Sequence, residues 1–326
     1  MPKSIIINKH GGPDVLEIVD TKIKTPGPKE IRIKNLAIGL NFIDTYHRSG
    51  LYPVKLPSGL GMEGAAVVEE IGSEVNNLRK GDNVAYAAPP LGSYSDERNI
   101  PEKIAVKIPE GISHNIAAGI MTKGLTVFYL LFKTYKVRAG ETVLFHAAAG
   151  GVGQIFCQWA KSIGCKVIGT VGSDNKIDIA KKNGCDFVIN YKKDSFDEKV
   201  LEMTNNKGVD VVYDGVGKDT FEKSLNCLKP RGMMVSFGNA SGALRPIDVP
   251  KLLQPKGLFF VRPSMGQYLG SSEELNEAAN SLFDKVKYGK VKIEIFKEYP
   301  LSDVRKAHED LEARKIIGPA LLIPHE

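Results

Sequence analysis

The sequence predicts an α/β protein in which a doubly wound parallel sheet is joined to a discontinuous β-rich domain. Three observations carry that expectation. Residues 126–262 alternate short apolar strands with helices, residues 1–125 hold many short extended segments divided by glycine and proline, and residues 143–161 (VLFHAAAGGVGQIFCQWAK) place a strand, a glycine-rich turn and a helix in direct succession.

The glycine-rich turn organises the chain. Val143, Leu144 and Phe145 suit a buried parallel strand, and Gly150, Gly151 and Gly153 read as positions where a Cβ would obstruct the turn. A helix starts at once, so its unpaired N–H groups and the positive end of its dipole face the turn, where a pyrophosphate is a natural occupant. Set against G-x-G-x-x-G, the residues Ala148, Ala149, Gly150, Gly151, Val152 and Gly153 put alanine at the first glycine. The plainer alternative is an ordinary tight strand-to-helix turn.

Composition limits the setting. A chain of 326 residues with 42% apolar and 25% charged residues reads as a soluble globular protein of about two domains. The opening MPKSIIINKHGG is too weakly apolar for a signal peptide, the apolar neighbourhood at 127–132 reads as too short to span a bilayer, and a cytoplasmic location follows by default. Cys157, Cys165, Cys185 and Cys227 form no C-x-x-C pair and read as reduced core thiols. A net charge of +6, mild and spread along the chain, argues weakly for an anionic ligand and hardly at all for a nucleic-acid partner.

In chain order, 31–37 (IRIKNLA), 65–71 (AAVVEEI) and 83–87 (NVAYA) read as strands. Residues 41–53 (NFIDTYHRSGLYP) read as a polar loop cluster suited to a cleft or, equally, as a solvated loop. Further strands are expected at 166–171, 186–190, 209–214, 233–237 and 258–261, with helices at 174–183, 195–204 and 220–228 between them. Gly164 and Gly184 read as left-handed helix ends. Ligands on open parallel sheets bind beyond the carboxyl ends of the strands, which brings Gly172, Ser173, Val216, Phe237, Gly238 and Asn239 towards the glycine turn. Ser271 and Glu274 form a capping box for a helix reaching about residue 288, 291–296 alternates as a strand, and Leu301, Val304 and Leu311 mark a last helix. The tail is expected to complete the first domain, giving segments 1–125, 126–262 and 263–326.

A dinucleotide site for NAD carries a carboxylate about twenty residues past the glycine turn. Here the second strand exits into Gly172 and Ser173, then Asp174, Asn175 and Lys176, so a hydroxyl and a cation come first and a 2′-phosphate suits them. Asp174 is read as a helix N-cap. Tyr191, after the third strand, could stack on an adenosine or pack as a surface residue.

These residues resemble a family. Gly140, Glu141, Leu144, Ala148, Ala149, Gly150, Gly151, Gly153, Gln158 and Lys161, with HGGPDVLE, LPSGLGMEGAAVV, KGLTVFYLL, VVYDGVG and VRPS in order, resemble the quinone oxidoreductases of zeta-crystallin type, in the zinc-independent branch of the medium-chain dehydrogenase/reductase superfamily. The resemblance implies a GroES-like substrate domain, a Rossmann domain binding NADPH, and a cytoplasmic homodimer. It also implies Asn41, Tyr46 and Tyr52 as residues reaching the nicotinamide ribose or a quinone oxygen in a cleft between the domains. Arg262 and Arg314 are implied cofactor contacts, each alternatively a surface ion pair.

The zinc alcohol dehydrogenases of the same superfamily use a cysteine where Asn41 stands and a histidine where Met62 stands, and the six histidines show no ligand spacing, so no metal site is expected. Without a Lewis acid, the acceptor must already be electrophilic. The expected activity is hydride transfer from NADPH to a small-molecule quinone, with a tyrosine hydroxyl or solvent as proton source. The alternatives are a 2-alkenal or enone reductase on the same cofactor, and a non-catalytic NADPH-binding protein of crystallin or RNA-binding kind.

Overall fold

The computed structural model describes residues 1–324; His325, one of the six histidines weighed as ligands, lies outside the described residues. The chain forms two compact units, one of residues 1–125, 271–287 and 293–326 and one of residues 126–270 and 288–292. Residues 263–270 and 288–292 therefore pack with the second unit rather than with the substrate domain in which the sequence reading grouped them.

Period-two patterning builds the sheets of the first unit. β1 (Lys3–Ile7) pairs antiparallel with β2 (Glu17–Asp20) and turns Ile5 and Ile7 into the core. β3 (Glu30–Leu40) alternates half-buried and buried residues up to Ala37 and is wholly buried from there to Leu40. Then come α1 (Phe42–Ser49), β4 (Ser58–Gly59), β5 (Glu63–Ile71), β6 (Asn83–Ala87), β7 (Glu97–Pro101) and β8 (Val106–Lys107). Residues 42–49 are thus a helix rather than loop, and only Asn41 and residues 50–53 of the cluster lie outside a regular element. Asn41 caps α1 in extended conformation, Gly50 closes it at φ 84°, and Asp44, Thr45, Tyr46 and Arg48 are buried in it. Its polar residues masked the helix because they face protein rather than water.

α2 (His114–Tyr129) runs on as a π-helical turn, Leu130–Thr134. By length and composition His114–Thr134 is long and apolar enough to cross a membrane, which corrects the reading of this stretch as too short. Yet 72% of its most apolar window is buried inside the protein, as befits a core helix.

The second unit is the alternating one. β9 (Thr142–Phe145), α3 (Gly151–Ile163), β10 (Lys166–Val171), α4 (Ile177–Lys182), β11 (Phe187–Asn190), α5 (Phe196–Met203), β12 (Val209–Asp214), α6 (Phe221–Asn226), β13 (Leu228–Ser236), α7 (Val249–Leu252) and β14 (Phe259–Val261) follow one another. The six strands are parallel in the order β11-β10-β9-β12-β13-β14. In strand sequence that order is 3-2-1-4-5-6, the Rossmann arrangement, whose direction reverses between β9 and β12 and opens a crevice beyond their carboxyl ends. Gly164 and Gly184 end helices at φ 100° and 101°. Leu144, Ile168, Val212 and Met234 form the core of the sheet with Phe196, Val200 and Phe221 from the helices.

After α8 (Met265–Tyr268), Ser271 and Glu274 exchange backbone-to-side-chain hydrogen bonds, both 3.2 Å, at the start of α9 (Ser272–Lys287). Residues 291–296, read as a strand, are not one. Lys292 donates its N–H to Gln158 and accepts from the same side chain, which ties this stretch to α3 of the second unit. Alternation alone makes no strand without a neighbouring ladder. The strand is β15 (Lys297–Pro300), paired with β16 (Ala320–Ile323) across α10 (Val304–Glu312), and β16 lies antiparallel beside β3.

Candidate functional site

In the second unit, the turn after β9 is where a phosphate cradle is expected. Ala147, not a glycine, takes the left-handed conformation at φ 59°, and Gly150 is extended at φ −77°. Gly153 is required for space: a Cβ there would lie 2.6 Å from the carbonyl oxygens of both Ala147 and Ala148. The obstruction expected at the glycines is severe at Gly153 and milder at Gly150, where a Cβ would lie 3.2 Å from the Ala147 carbonyl oxygen. Gly151 and Val152 open α3, and their N–H groups belong to its unpaired first turn. Beneath them His146 bonds to Thr170 Oγ1 and Ser224 Oγ, both at 2.8 Å, and burial lowers its pKa.

Every strand exit carries an expected residue. Gly172 follows β10, and a Cβ on it would come within 2.9 Å of the Tyr191 hydroxyl, so Tyr191 covers this exit from β11. Ser173, not Asp174, is the cap residue before the short 174–176 turn that holds Lys176. Asp174 instead accepts from Asn190 Nδ2 at 2.7 Å and pairs with Lys193, whose hydrogen bond, followed by that from Asn190, lowers its pKa. Both Asp174 oxygens therefore already have protein partners at this strand exit. At β12, buried Asp214 accepts from the N–H groups of Val216 and Gly217 at 2.7 and 3.0 Å and fixes that loop. Phe237 after β13 packs its ring on Phe145, centroids 5.7 Å apart, and Gly238 is pressed against the Gly215 carbonyl. Arg262, after β14, donates to the carbonyls of Ser236 and Gly238, each at 3.0 Å. Asn239, with its amide oriented to satisfy both neighbours, accepts from Arg262 at 3.1 Å. Arg262 thus clamps the Phe237 to Asn239 loop.

The first unit holds the other expected residues. Tyr46 and Tyr52 meet edge to face, centroids 5.1 Å apart, with Phe42 and His47 beside them. Asn41 Nδ2 donates to Glu63 Oε2 at 2.6 Å, and its Oδ1 accepts from Lys123 Nζ at 2.8 Å. Arg314 lies exposed at φ 58° just past α10.

Sequence reasoning missed what surrounds Asn41. Asp44 accepts from the Asn41 N–H at 2.9 Å and from the Tyr94 hydroxyl at 2.7 Å. Tyr94 also meets His308 Nε2 at 3.2 Å, and His308 Nδ1 accepts from Arg48, which pairs with Glu312. Burial pushes the Asp44 carboxyl up to about 7, against the hydrogen bonds from Tyr94 and Asn41, and together with the Arg48 charge pulls His308 down to about 3. His308 is neutral and accepts from Arg48, so donation runs from Arg48 through His308 and Tyr94 to Asp44. The available signal was Lys123, a cation within an otherwise apolar helix.

The parallel sheet and cradle define a dinucleotide-binding unit, and the comparisons make the class specific. Residues 27–110 match the alcohol dehydrogenase GroES-like domain and 151–284 the zinc-binding dehydrogenase family. A quinone oxidoreductase of Pseudomonas aeruginosa is 49% identical over 325 residues, 99% of this chain and 100% of that one. The crystal structure of Escherichia coli quinone oxidoreductase complexed with NADPH superposes with a TM-score of 0.97 at 50% identity, covering 99% and 100% of the two chains. A 2-haloacrylate reductase of a Burkholderia species is 44% identical over 331 residues, 99% of each chain. This chain belongs to the quinone oxidoreductase family of the medium-chain dehydrogenase/reductase superfamily.

The described residues do not fit the zinc ion named by one of those families. They contain no group of three or more histidine, cysteine, aspartate or glutamate side chains that could hold a metal, and the Lys123 ammonium sits against the Asn41 oxygen.

Proposed function

We infer that this chain is an NADPH-dependent quinone reductase, transferring hydride from NADPH to a quinone without a metal ion. The observation that carries the reading is a phosphate cradle followed by a hydroxyl and an ammonium, in a chain half identical along its whole length to a quinone oxidoreductase solved with NADPH. The cofactor, when bound, supplies the hydride.

The protein's own residues bind and orient. The N–H groups of Gly151 and Val152, beside Gly150, would hold the pyrophosphate, with Gly153 keeping the helix close to the turn. Ser173 and Lys176 would take the 2′-phosphate, with Gly172 and Tyr191 beside the adenosine. Val216, Phe237, Gly238 and Asn239, held by Asp214 and Arg262, line the crevice beyond the strands, and Arg314 supplies a further cation. Asn41 meets the nicotinamide ribose or a quinone oxygen, and Tyr46 or Tyr52 donates to the oxygen on which charge develops. A quinone suits such a site because its conjugated carbonyls are electrophilic without polarisation by a metal.

A second reading shares the cofactor but takes an activated alkene, and the 44% identity to a 2-haloacrylate reductase favours it specifically. Steady-state NADPH oxidation against a panel of quinones, enones and 2-haloacrylate separates the two: the first reading expects quinones to give the highest kcat/KM. A homodimer in the cytoplasm belongs to the same proposal. Four free, buried cysteines suit a reducing compartment, and sedimentation equilibrium tests the dimer.

A further inference from the structure

We propose that Glu63 and Lys123 are positioning residues for hydride transfer, fixing one of the two orientations of the Asn41 amide; the proposal rests on the reading of Asn41 as a contact of cofactor or quinone. An asparagine amide is nearly symmetric in shape, and its two flipped states differ only in where the donor and the acceptor point. Here the surroundings are not symmetric. Glu63 is a pure acceptor at 2.6 Å from Nδ2, and Lys123 is a pure donor at 2.8 Å from Oδ1. Flipping the amide would set oxygen against carboxylate and N–H against ammonium, two like-signed contacts in place of two charge-assisted hydrogen bonds.

The pair is built into the fold and shielded from water. Glu63 is 0% exposed, and Lys123 and Asn41 are each 6% exposed. Glu63 Oε1 accepts from the Thr122 N–H at 2.6 Å, and Oε2 also faces Lys123 at 3.5 Å, so the carboxylate is held from α2 as well as from β5. Lys123 reaches the Leu40 carbonyl at 3.4 Å. The backbone of β3 makes room for the Glu63 carboxylate, since a Cβ on Gly39 would collide with it and with the Ala118 carbonyl. Three separate elements and a glycine thus converge on one amide. What they leave is the second N–H of Nδ2, a donor that no described side chain takes up, aimed in a fixed direction. A preorganised donor of this kind accelerates a reaction in which charge develops on an acceptor oxygen, because it needs no reorientation at the moment of transfer.

The test combines a mutant cycle with a spectroscopic readout on the unmodified protein. In Glu63→Gln the new amide group must face either Asn41 Nδ2 or the Thr122 N–H with a donor, so either the Asn41 amide itself or the α2 backbone next to Lys123 is pushed away. Single-turnover hydride transfer should fall about tenfold, the equivalent of about 1.4 kcal/mol, while the NADPH dissociation constant from fluorescence titration changes less than about threefold. In an Asn41→Ala background the same change should add less than about twofold, because Glu63 acts through Asn41. Lys123→Met, run through the same cycle, gives the same pattern. In the wild-type protein, the side-chain amide of Asn41, assigned by its loss in Asn41→Ala, should show one strongly downfield N–H resonance that exchanges slowly with solvent. Full additivity of Glu63→Gln and Asn41→Ala, or an Asn41 amide exchanging freely with solvent, overturns the positioning role and leaves the Asn41 contact standing. Unchanged hydride transfer in Asn41→Ala overturns the site reading itself.

Discussion

Replacing Gly153 with alanine distinguishes a phosphate cradle from an ordinary strand-to-helix turn. In a plain helix the substitution would stabilise by about 1 kcal/mol through backbone entropy. At Gly153 the new Cβ would lie 2.6 Å from the carbonyl oxygens of Ala147 and Ala148 and 2.7 Å from the Ala148 carbonyl carbon. Those atoms are backbone of the turn itself, so relief requires the turn to move. Overpacking of this kind costs about 1–3 kcal/mol, and with the propensity gain the net loss of stability is about 0–2 kcal/mol. Binding should suffer more. Displacing the first-turn N–H groups removes at least one charge-assisted hydrogen bond to phosphate, about 1.5–3 kcal/mol, or a tenfold or greater rise in the NADPH dissociation constant. Fluorescence titration and thermal denaturation read the two effects separately. Gly266→Ala, where nothing lies within 4 Å of the new Cβ, serves as the control and should leave both unchanged or raise stability slightly. A Gly153→Ala protein that melts higher and binds NADPH like wild type would refute the close approach and its link to the cofactor.

Lys176→Ala should raise KM for NADPH about tenfold, the loss of one contact of about 1.5 kcal/mol, and leave KM for NADH nearly unchanged; equal effects would remove Lys176 from the 2′-phosphate. Tyr46→Phe or Tyr52→Phe should lower kcat with little change in NADPH binding if the hydroxyl acts on the developing oxyanion, whereas a packing role alone leaves kcat intact. Asp44, raised to about 7 in the folded chain from an ordinary 3.8, favours folding below about pH 4 and loses that contribution as pH rises through 7. The difference corresponds to about 4 kcal/mol at 1.36 kcal/mol per pH unit, so urea unfolding should show stability falling from pH 5 to pH 8 in wild type and much less in Asp44→Asn. An identical slope in both would place the titration elsewhere.

The parallel unit was legible because its inner strands are buried on both faces and so read as plain apolar runs, such as Val143 to Phe145, while Gly164 and Gly184 punctuate the helices between them. Helix α1 was not. It buries Asp44 and Arg48, whose partners Tyr94, His308 and Glu312 lie 50 to 264 residues away in sequence, so its polar face looks solvated until the chain is folded. Residues 291–296 failed for the opposite reason, since their alternation pairs with no described strand, and the Lys292 backbone is bonded to the Gln158 side chain instead. Glu63 and Lys123 escaped notice because each touches Asn41 from a different element, and only the isolated cation in α2 hinted at a buried partner. At the turn after β9, the motif pointed to glycines crowded at Cβ, as Gly153 is, but gave no sign that the left-handed residue is Ala147, because an alanine does not mark that conformation in sequence.

The central claim is metal-independent hydride transfer from NADPH to a quinone. Stopped-flow oxidation of NADPH deuterated at the transferred position, by chelator-treated protein with a quinone acceptor, tests it most directly. The expected result is rapid single-turnover oxidation that survives chelation and slows with deuterium. NADPH left unoxidised by every quinone, alongside brisk reduction of enones or 2-haloacrylate, would contradict the quinone assignment, and activity lost with a tightly bound zinc ion would contradict the metal-independent chemistry.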